Sequence, residues 1–271
     1  MSSYTCMALM TMVHNGIGFA IMYDLCQQFS GDEVLTQLQA KGLSPRFHQL
    51  DIDDLQSIHT LGDFLYKEYG GLKVLINNTS IDVTSPDSTL FHIKAEVTMK
   101  TNFYITQNVC TELMPHKTSR VVNVSSIMSL LTLKNCSPEF QQRFTSETIT
   151  EEELVALMNK FEGWPDVKGI AYGVSKMGIT VLSTIHARRL SEQRRGDKIL
   201  LNACCPGWVR TDMGGPEVIK SPEEGAETPV YLALLPSDAE GPHGEFVMEK
   251  KVEQWGPLFE VPLWFTVHIK L

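Results

Sequence analysis

The chain has 271 residues, 43% hydrophobic and 20% charged, with a formal net charge of -9. This is ordinary globular usage and enough chain for one large α/β domain. The acidic balance excludes the basic face of a nucleic-acid binder and does not suit docking on an anionic membrane. Six cysteines (Cys6, Cys26, Cys110, Cys136, Cys204 and Cys205) include no Cys-x-x-Cys pair and no zinc-spaced cluster with histidine. They read as reduced thiols of a cytoplasmic protein, and no metal site is expected.

Taken in order, residues 6–11 predict a buried strand. No basic residue precedes the apolar run at 7–13, so it does not read as a secretory leader. No stretch reaches the ~20 apolar residues of a membrane helix. Residues 16–29 predict a helix with Ile17, Ala20, Ile21, Leu25 and Phe29 on one side. Strands at 33–36 and 46–50 follow, joined by a link with room for barely one helical turn. A parallel crossover normally takes a dozen or more residues, so either the strand at 33–36 is mispaired or a helix is missing. A helix at 53–69 and a strand at 73–76 come next, then a helix at 95–113 and a strand at 120–124.

A long insertion spans 129–170. Within it, Thr150 and Glu153 form a capping box, with Ile149 and Leu154 placed as a hydrophobic staple. Leu154, Leu157, Met158 and Phe161 make that helix apolar on one side, opposite a solvated acidic first turn. A helix at 172–192, a strand at 199–203, a helix at 222–234 and a strand at 245–247 complete the series. Such alternation predicts an α/β fold, a doubly wound parallel sheet with helices on both faces. Sheets of this kind bind ligands beyond the carboxyl ends of their strands. The apolar tail at 256–271 receives no role.

The strongest local signal is Tyr172-Gly173-Val174-Ser175-Lys176. Tyr and Lys at i and i+4 share a helix face, and an ammonium beside a phenol lowers its pKa. Tyr172 would then be a usable proton donor. Alone, such a pair is weak, because chance supplies it in many helices. Three further features accompany it: Asn102 in the helix at 95–113, Ser125-Ser126 at the end of the strand at 120–124, and Pro206-Gly207-Trp208-Val209-Arg210-Thr211 after the strand at 199–203.

In order and position these motifs resemble the short-chain dehydrogenase/reductase family. Several segments, among them 43–56, 91–102, 146–161 and 198–213, are similar to its cytosolic monomeric carbonyl reductases. The likeness runs over 1–255 as a single domain, Rossmann-like, with the insertion as the subgroup's mark. The resemblance implies an oxidoreductase that reduces ketones, aldehydes, quinones and prostaglandins to alcohols with NADPH. It implies a cytoplasmic monomer whose substrates are small carbonyl compounds, glutathione adducts among them. Tyr172 would be the general acid, and Lys176 would hold the cofactor ribose. Ser126 would bond the substrate carbonyl, and Asn102 would organise a relay water. Thr11, Gly16, Ile17, Gly18, Asp51, Asn78, Pro206, Gly207 and Thr211 would complete the cofactor site. Met128, Cys205 and Trp208 would line the substrate pocket. Simpler readings stand beside three of these: Asp51 as a helix cap, Trp208 as core packing and Cys205 as an inert buried thiol.

Departures concentrate in the cofactor half. Met12 stands where the family carries the first glycine of its phosphate-binding turn, and the crossover after Thr36 is short. Asn77-Asn78-Thr79-Ser80 replaces Asn-Asn-Ala-Gly, and Gln37 and Leu38 stand where a cation would meet the 2′-phosphate. Gly16 and Gly18 remain, so the helix N-terminus can still face phosphate. An impaired or inactive binding protein on the same scaffold is therefore the alternative function.

Overall fold

The computed structural model describes residues 7–11, 16–28, 50–82, 91–115, 117–160 and 170–260. Met12, the strand at 33–36, the short crossover, most of the strand at 46–50, Phe161 and residues 261–271 lie outside the described residues.

Five parallel strands stand side by side in chain order: β1 (Ala8–Met10), β2 (Val74–Asn77), β3 (Ser119–Val124), β4 (Ile199–Cys205) and β5 (Phe246–Met248). Every residue of β2, β3 and β4 is buried, as expected of strands covered on both faces. Alternation divides their side chains. Val74, Ile76 and Val122 face α1 (Gly16–Gln28) and α9 (Pro222–Ala233). Leu75, Val121 and Leu201 face α2 (Leu55–Tyr69), α4 (Ile105–Glu112) and α8 (Ile170–Gln193). The result is a Rossmann-like layered sheet.

Three elements differ from the sequence reading. The predicted helix at 95–113 is broken into α3 (Phe91–Met99), a π-helical turn (Lys100–Tyr104) and α4, with Asn102 in the wide turn. Such turns insert one residue into a helix and recur at functional sites. The insertion holds three helices rather than one: α5 (Met128–Asn135), α6 (Pro138–Phe144) and α7 (Glu151–Lys160). The expected capping box is present, with Glu153 accepting from Thr150 N–H at 2.9 Å and Thr150 accepting from Glu153 N–H at 3.2 Å. Ile149, Leu154, Leu157 and Met158 are buried together.

The first turn of α7 is not simply a solvated acidic turn. Glu151 is buried, accepting from Gln107 of α4 at 2.7 Å, lying 3.2 Å from His186 of α8, and paired with Arg189. The His186 hydrogen bond, followed by those of its other partners, holds its carboxyl at about 2 against the cost of burial.

The third difference is β6 (Lys251–Glu253), antiparallel to β5. Glu249 and Lys250 form the two-residue turn, both with positive φ, a geometry that normally selects Asn-Gly. Here ion pairs hold it instead, Glu249 with Lys220 at 2.8 Å and Lys250 with Glu227 at 2.6 Å.

Candidate active site

The carboxyl ends of β1 to β4 meet at one edge, and the loops after them carry most of the expected site residues. Thr11 closes β1. Its N–H bonds Ile76 O at 3.1 Å, and its hydroxyl accepts from the N–H groups of Asn78 and Thr79, both at 3.0 Å. Thr11 thus fixes the start of the segment after β2, where Asn78 sits.

Gly16 opens α1 at φ +55, and a Cβ there would stand 3.1 Å from the Thr211 methyl. The loop after β4 therefore lies against the α1 N-terminus at a position that only glycine fits comfortably. That loop begins with Pro206 and with Gly207 at φ +88. Thr211 accepts from Gly214 N–H at 3.2 Å. Ile17 and Gly18 follow in the first turn of α1.

Asn102 is fully buried and ties two elements together. Its side chain accepts from Ile81 N–H at 2.8 Å and donates to Ile81 O at 2.9 Å and to Ser175 at 3.0 Å. Both amide N–H donors are thereby used, and the side chain holds the 77–82 segment against α8. Ser175 passes the connection on, donating to Tyr172 O at 2.7 Å.

At the centre, the Tyr172 phenol lies near the hydroxyls of Ser126 and Ser80, and the buried Ser80 hydroxyl makes no hydrogen bond among the described residues. Burial raises its pKa above the ordinary phenol value, Cys205 and Asp82 add to the shift, and the two serine hydroxyls oppose it. The expected depression by Lys176 is not found. The Lys176 ammonium lies 5.5 Å from the Tyr172 ring centre and donates to Val124 O at 2.7 Å. It is 1% exposed, and burial lowers its pKa from 10.5 to about 8. Tyr172 therefore keeps its proton at neutral pH, the state a proton donor requires.

The structure also places Cys205 and Asp51, and the helix-cap reading of Asp51 fails. Cys205 is buried, and its sulfur accepts from the N–H groups of Ile127 at 3.1 Å and Gly207 at 3.3 Å. The sulfur thus bridges two loops, and its burial agrees with the reading of an inert thiol. Asp51 is exposed and accepts from Asp53 N–H at 3.0 Å, while Asp54 is the cap of α2. It is a turn residue just before the helix. Trp208 is 38% exposed, and Met128 is half-buried at the start of α5.

Sequence reasoning assigned no role to four polar residues here. Ser80 and Ser175 are described above. Ser125 donates to Lys176 O at 2.9 Å and lies 2.7 Å from the Thr180 hydroxyl. Asn123 accepts from Asn77 at 2.8 Å and donates to Ser183 at 2.9 Å under the sheet edge. Ser175 and Thr180 were reachable from helical spacing around Tyr172 and Lys176; Ser80 had no local signal.

The fit to a dinucleotide rests on two observations. Gly16, at φ +55, lets the start of α1 and the loop carrying Thr211 approach closely at the carboxyl ends of the strands, where folds of this kind take up phosphate at a helix N-terminus. Lys176 spends one of its three N–H donors on Val124 among the described residues, leaving two for ribose hydroxyls. The donor set suits the group. Among the described residues no group of His, Cys, Asp and Glu could hold a metal ion, and no helix is long and apolar enough to cross a membrane.

The class of protein is thereby defined: the chain belongs to the short-chain dehydrogenase/reductase family. The short chain dehydrogenase family model matches residues 7–138. The chain is 66% identical to carbonyl reductase (NADPH) 1 of Bos taurus over 280 aligned residues, covering 94% of this chain and 100% of the bovine protein. It is 67% identical to carbonyl reductase (NADPH) 1 of Homo sapiens, with the same coverage. Among solved structures, salutaridine reductase from Papaver somniferum superposes with TM-score 0.73 at 26% identity, over 88% of this chain and 98% of that one.

Proposed function

We propose that this protein reduces ketones, aldehydes and quinones to alcohols with NADPH. The observation that carries this is the Tyr172 phenol, kept protonated by burial, facing the Ser126 hydroxyl with buried Lys176 one helical turn away. The 66–67% identity to proteins named as NADPH carbonyl reductases supports the cofactor and the reaction class.

NADPH, when bound, supplies the hydride, and Thr11, Gly16, Ile17, Gly18, Asn78, Lys176, Pro206, Gly207 and Thr211 would hold it. Ser126 donates a hydrogen bond to the carbonyl oxygen and fixes its direction. Tyr172 delivers the proton to that oxygen as negative charge builds on it, so the product leaves as an alcohol. Lys176 supplies positive charge below the phenol and donors toward the cofactor side. Asn102 holds the 77–82 segment through Ile81 and joins it to α8 through Ser175. Met128 and Trp208 stand at the substrate side. A monomer in the cytoplasm, with glutathione adducts among its substrates, belongs to the same reading and rests on the likeness to the carbonyl reductases. No feature of the described site favours a chain without turnover.

Consumption of NADPH with a small quinone tests the reading. Turnover in the wild type and its loss in Tyr172→Phe are expected. A wild type that binds NADPH and leaves the quinone unreduced would overturn it.

A further inference from the structure

Ser126 stands on a short turn between β3 and α5, held on its β3 side by Ser125, whose N–H bonds Cys204 O at 2.7 Å and whose hydroxyl bonds Lys176 O at 2.9 Å. The Ser126 hydroxyl accepts from Met128 N–H at 3.2 Å, and its carbonyl accepts from Ser129 N–H at 3.0 Å. The remaining anchors come from below. Ile127 N–H bonds the Cys205 sulfur at 3.1 Å, and the Trp255 indole N–H bonds the Ser129 hydroxyl at 3.1 Å. Ile127 and Leu130 are buried in one apolar cluster with Cys205, Phe246, Met248 and Phe259.

Phe259 belongs to the tail that follows Trp255, outside the 1–255 stretch that resembles the carbonyl reductases. A turn closed by Phe259 N–H to Gly256 O at 3.2 Å directs this one side chain inward. Leu258 beside it is 81% exposed, whereas Phe259 is 6% exposed. Phe259 thereby shares one buried cluster with Ile127, the residue that follows Ser126, and with Leu130.

We propose that Phe259 is a positioning residue for carbonyl reduction: packed under the Ser126 turn, it sets where the carbonyl-binding hydroxyl stands, with Trp255 as the polar half of the same buttress. The inference rests on the proposed reaction. Removing the ring leaves a void against Ile127 and Leu130, and cores close such voids only partly. The turn then loses its floor, and displacements near 1 Å at a reacting group cost up to about a hundredfold in rate.

The test uses the full chain with a small quinone and NADPH. Phe259→Ala is expected to lower kcat/KM for the quinone by roughly tenfold, with NADPH affinity within about twofold of wild type. Phe259→Leu, which refills most of the space, is expected to recover to within about threefold. Trp255→Phe, which removes the N–H to Ser129 together with part of the ring, is expected to lower kcat/KM by roughly threefold. These two milder variants carry the test if Phe259→Ala does not fold. Wild-type kcat/KM in the folded variants, or a matching loss of NADPH affinity, would overturn the proposal. Hydrogen exchange separates the two ideas. Faster exchange at the amides of 127–131 in the Phe259 variants, with α8 unchanged, is expected whether or not turnover is seen. Unchanged exchange there overturns the positioning role, whereas a wild type without turnover overturns only the reaction.

Discussion

Replacing Lys176 with Met should separate what this residue costs the fold from what it does for the reaction. The ammonium is 1% exposed, lies beneath Tyr172 and bonds one backbone carbonyl at 2.7 Å. Burial brings its pKa from 10.5 to about 8. Below about pH 8 the folded protein carries the full penalty of a buried charge, on the order of 3 kcal/mol. Between the two values the unfolded chain holds a proton that the folded chain has released, so stability rises with pH in that window. By about pH 9.5 roughly 2 kcal/mol of the penalty is recovered. Met fills similar volume and leaves Val124 O without its donor, a loss of ~1–3 kcal/mol that does not change with pH. The buried thiols titrate in both proteins and largely cancel in the comparison. Urea unfolding of both proteins without cofactor, at about pH 7 and about pH 9.5, should therefore show the wild type gaining roughly 2 kcal/mol on Lys176→Met, while the variant has no turnover at either pH. Parallel behaviour of the two proteins would refute the buried-ammonium argument.

Three further outcomes follow from the geometry. Tyr172→Phe should lower turnover by about a hundredfold to ten-thousandfold while leaving the unfolding transition and NADPH fluorescence titration near wild type; retained turnover would reject it as proton donor. Gly16→Ala should lose ~1–2 kcal/mol of stability, from positive φ and a Cβ 3.1 Å from Thr211, and weaken NADPH binding by roughly tenfold; unchanged binding in the titration would show that the loop after β4 yields. Glu151→Ala should cost roughly 3 kcal/mol in urea unfolding at neutral pH, because it strips His186 and Arg189 of their shared carboxylate. The stability that Glu151 contributes in the wild type should be fully present above about pH 4.5 and fall as pH drops toward 2; the same acid dependence in both proteins would contradict the clamp.

The parallel sheet was legible because β2, β3 and β4 are apolar runs buried on both faces. Tyr172, Lys176 and Ser126 were legible as family motifs, and the structure brings all three together. The broken helix around Asn102 was not legible. Residues 95–113 keep helical composition throughout, and one inserted residue leaves the periodicity almost unchanged. Helix α6 did carry a signal in Ser137-Pro138-Glu139, an N-cap followed by proline and an acid. Strand β6 carried none, because its turn uses Glu249 and Lys250, held by ion pairs, where sequence rules look for Asn-Gly. The Tyr172 pKa went the other way from the motif argument because burial outweighs an ammonium turned toward Val124. The 280 positions aligned to the bovine relative exceed the 271 residues of this chain. The relatives therefore carry segments that this chain lacks.

In the proposed reaction, a protonated Tyr172 above a buried Lys176 completes NADPH-driven carbonyl reduction. It is tested most directly by following NADPH fluorescence on adding a small quinone to wild type and to Tyr172→Phe, both already saturated with cofactor. Loss of the signal with the wild type, and a stable signal with the variant, are predicted. A stable signal with both proteins, under conditions where both bind NADPH, would contradict the account.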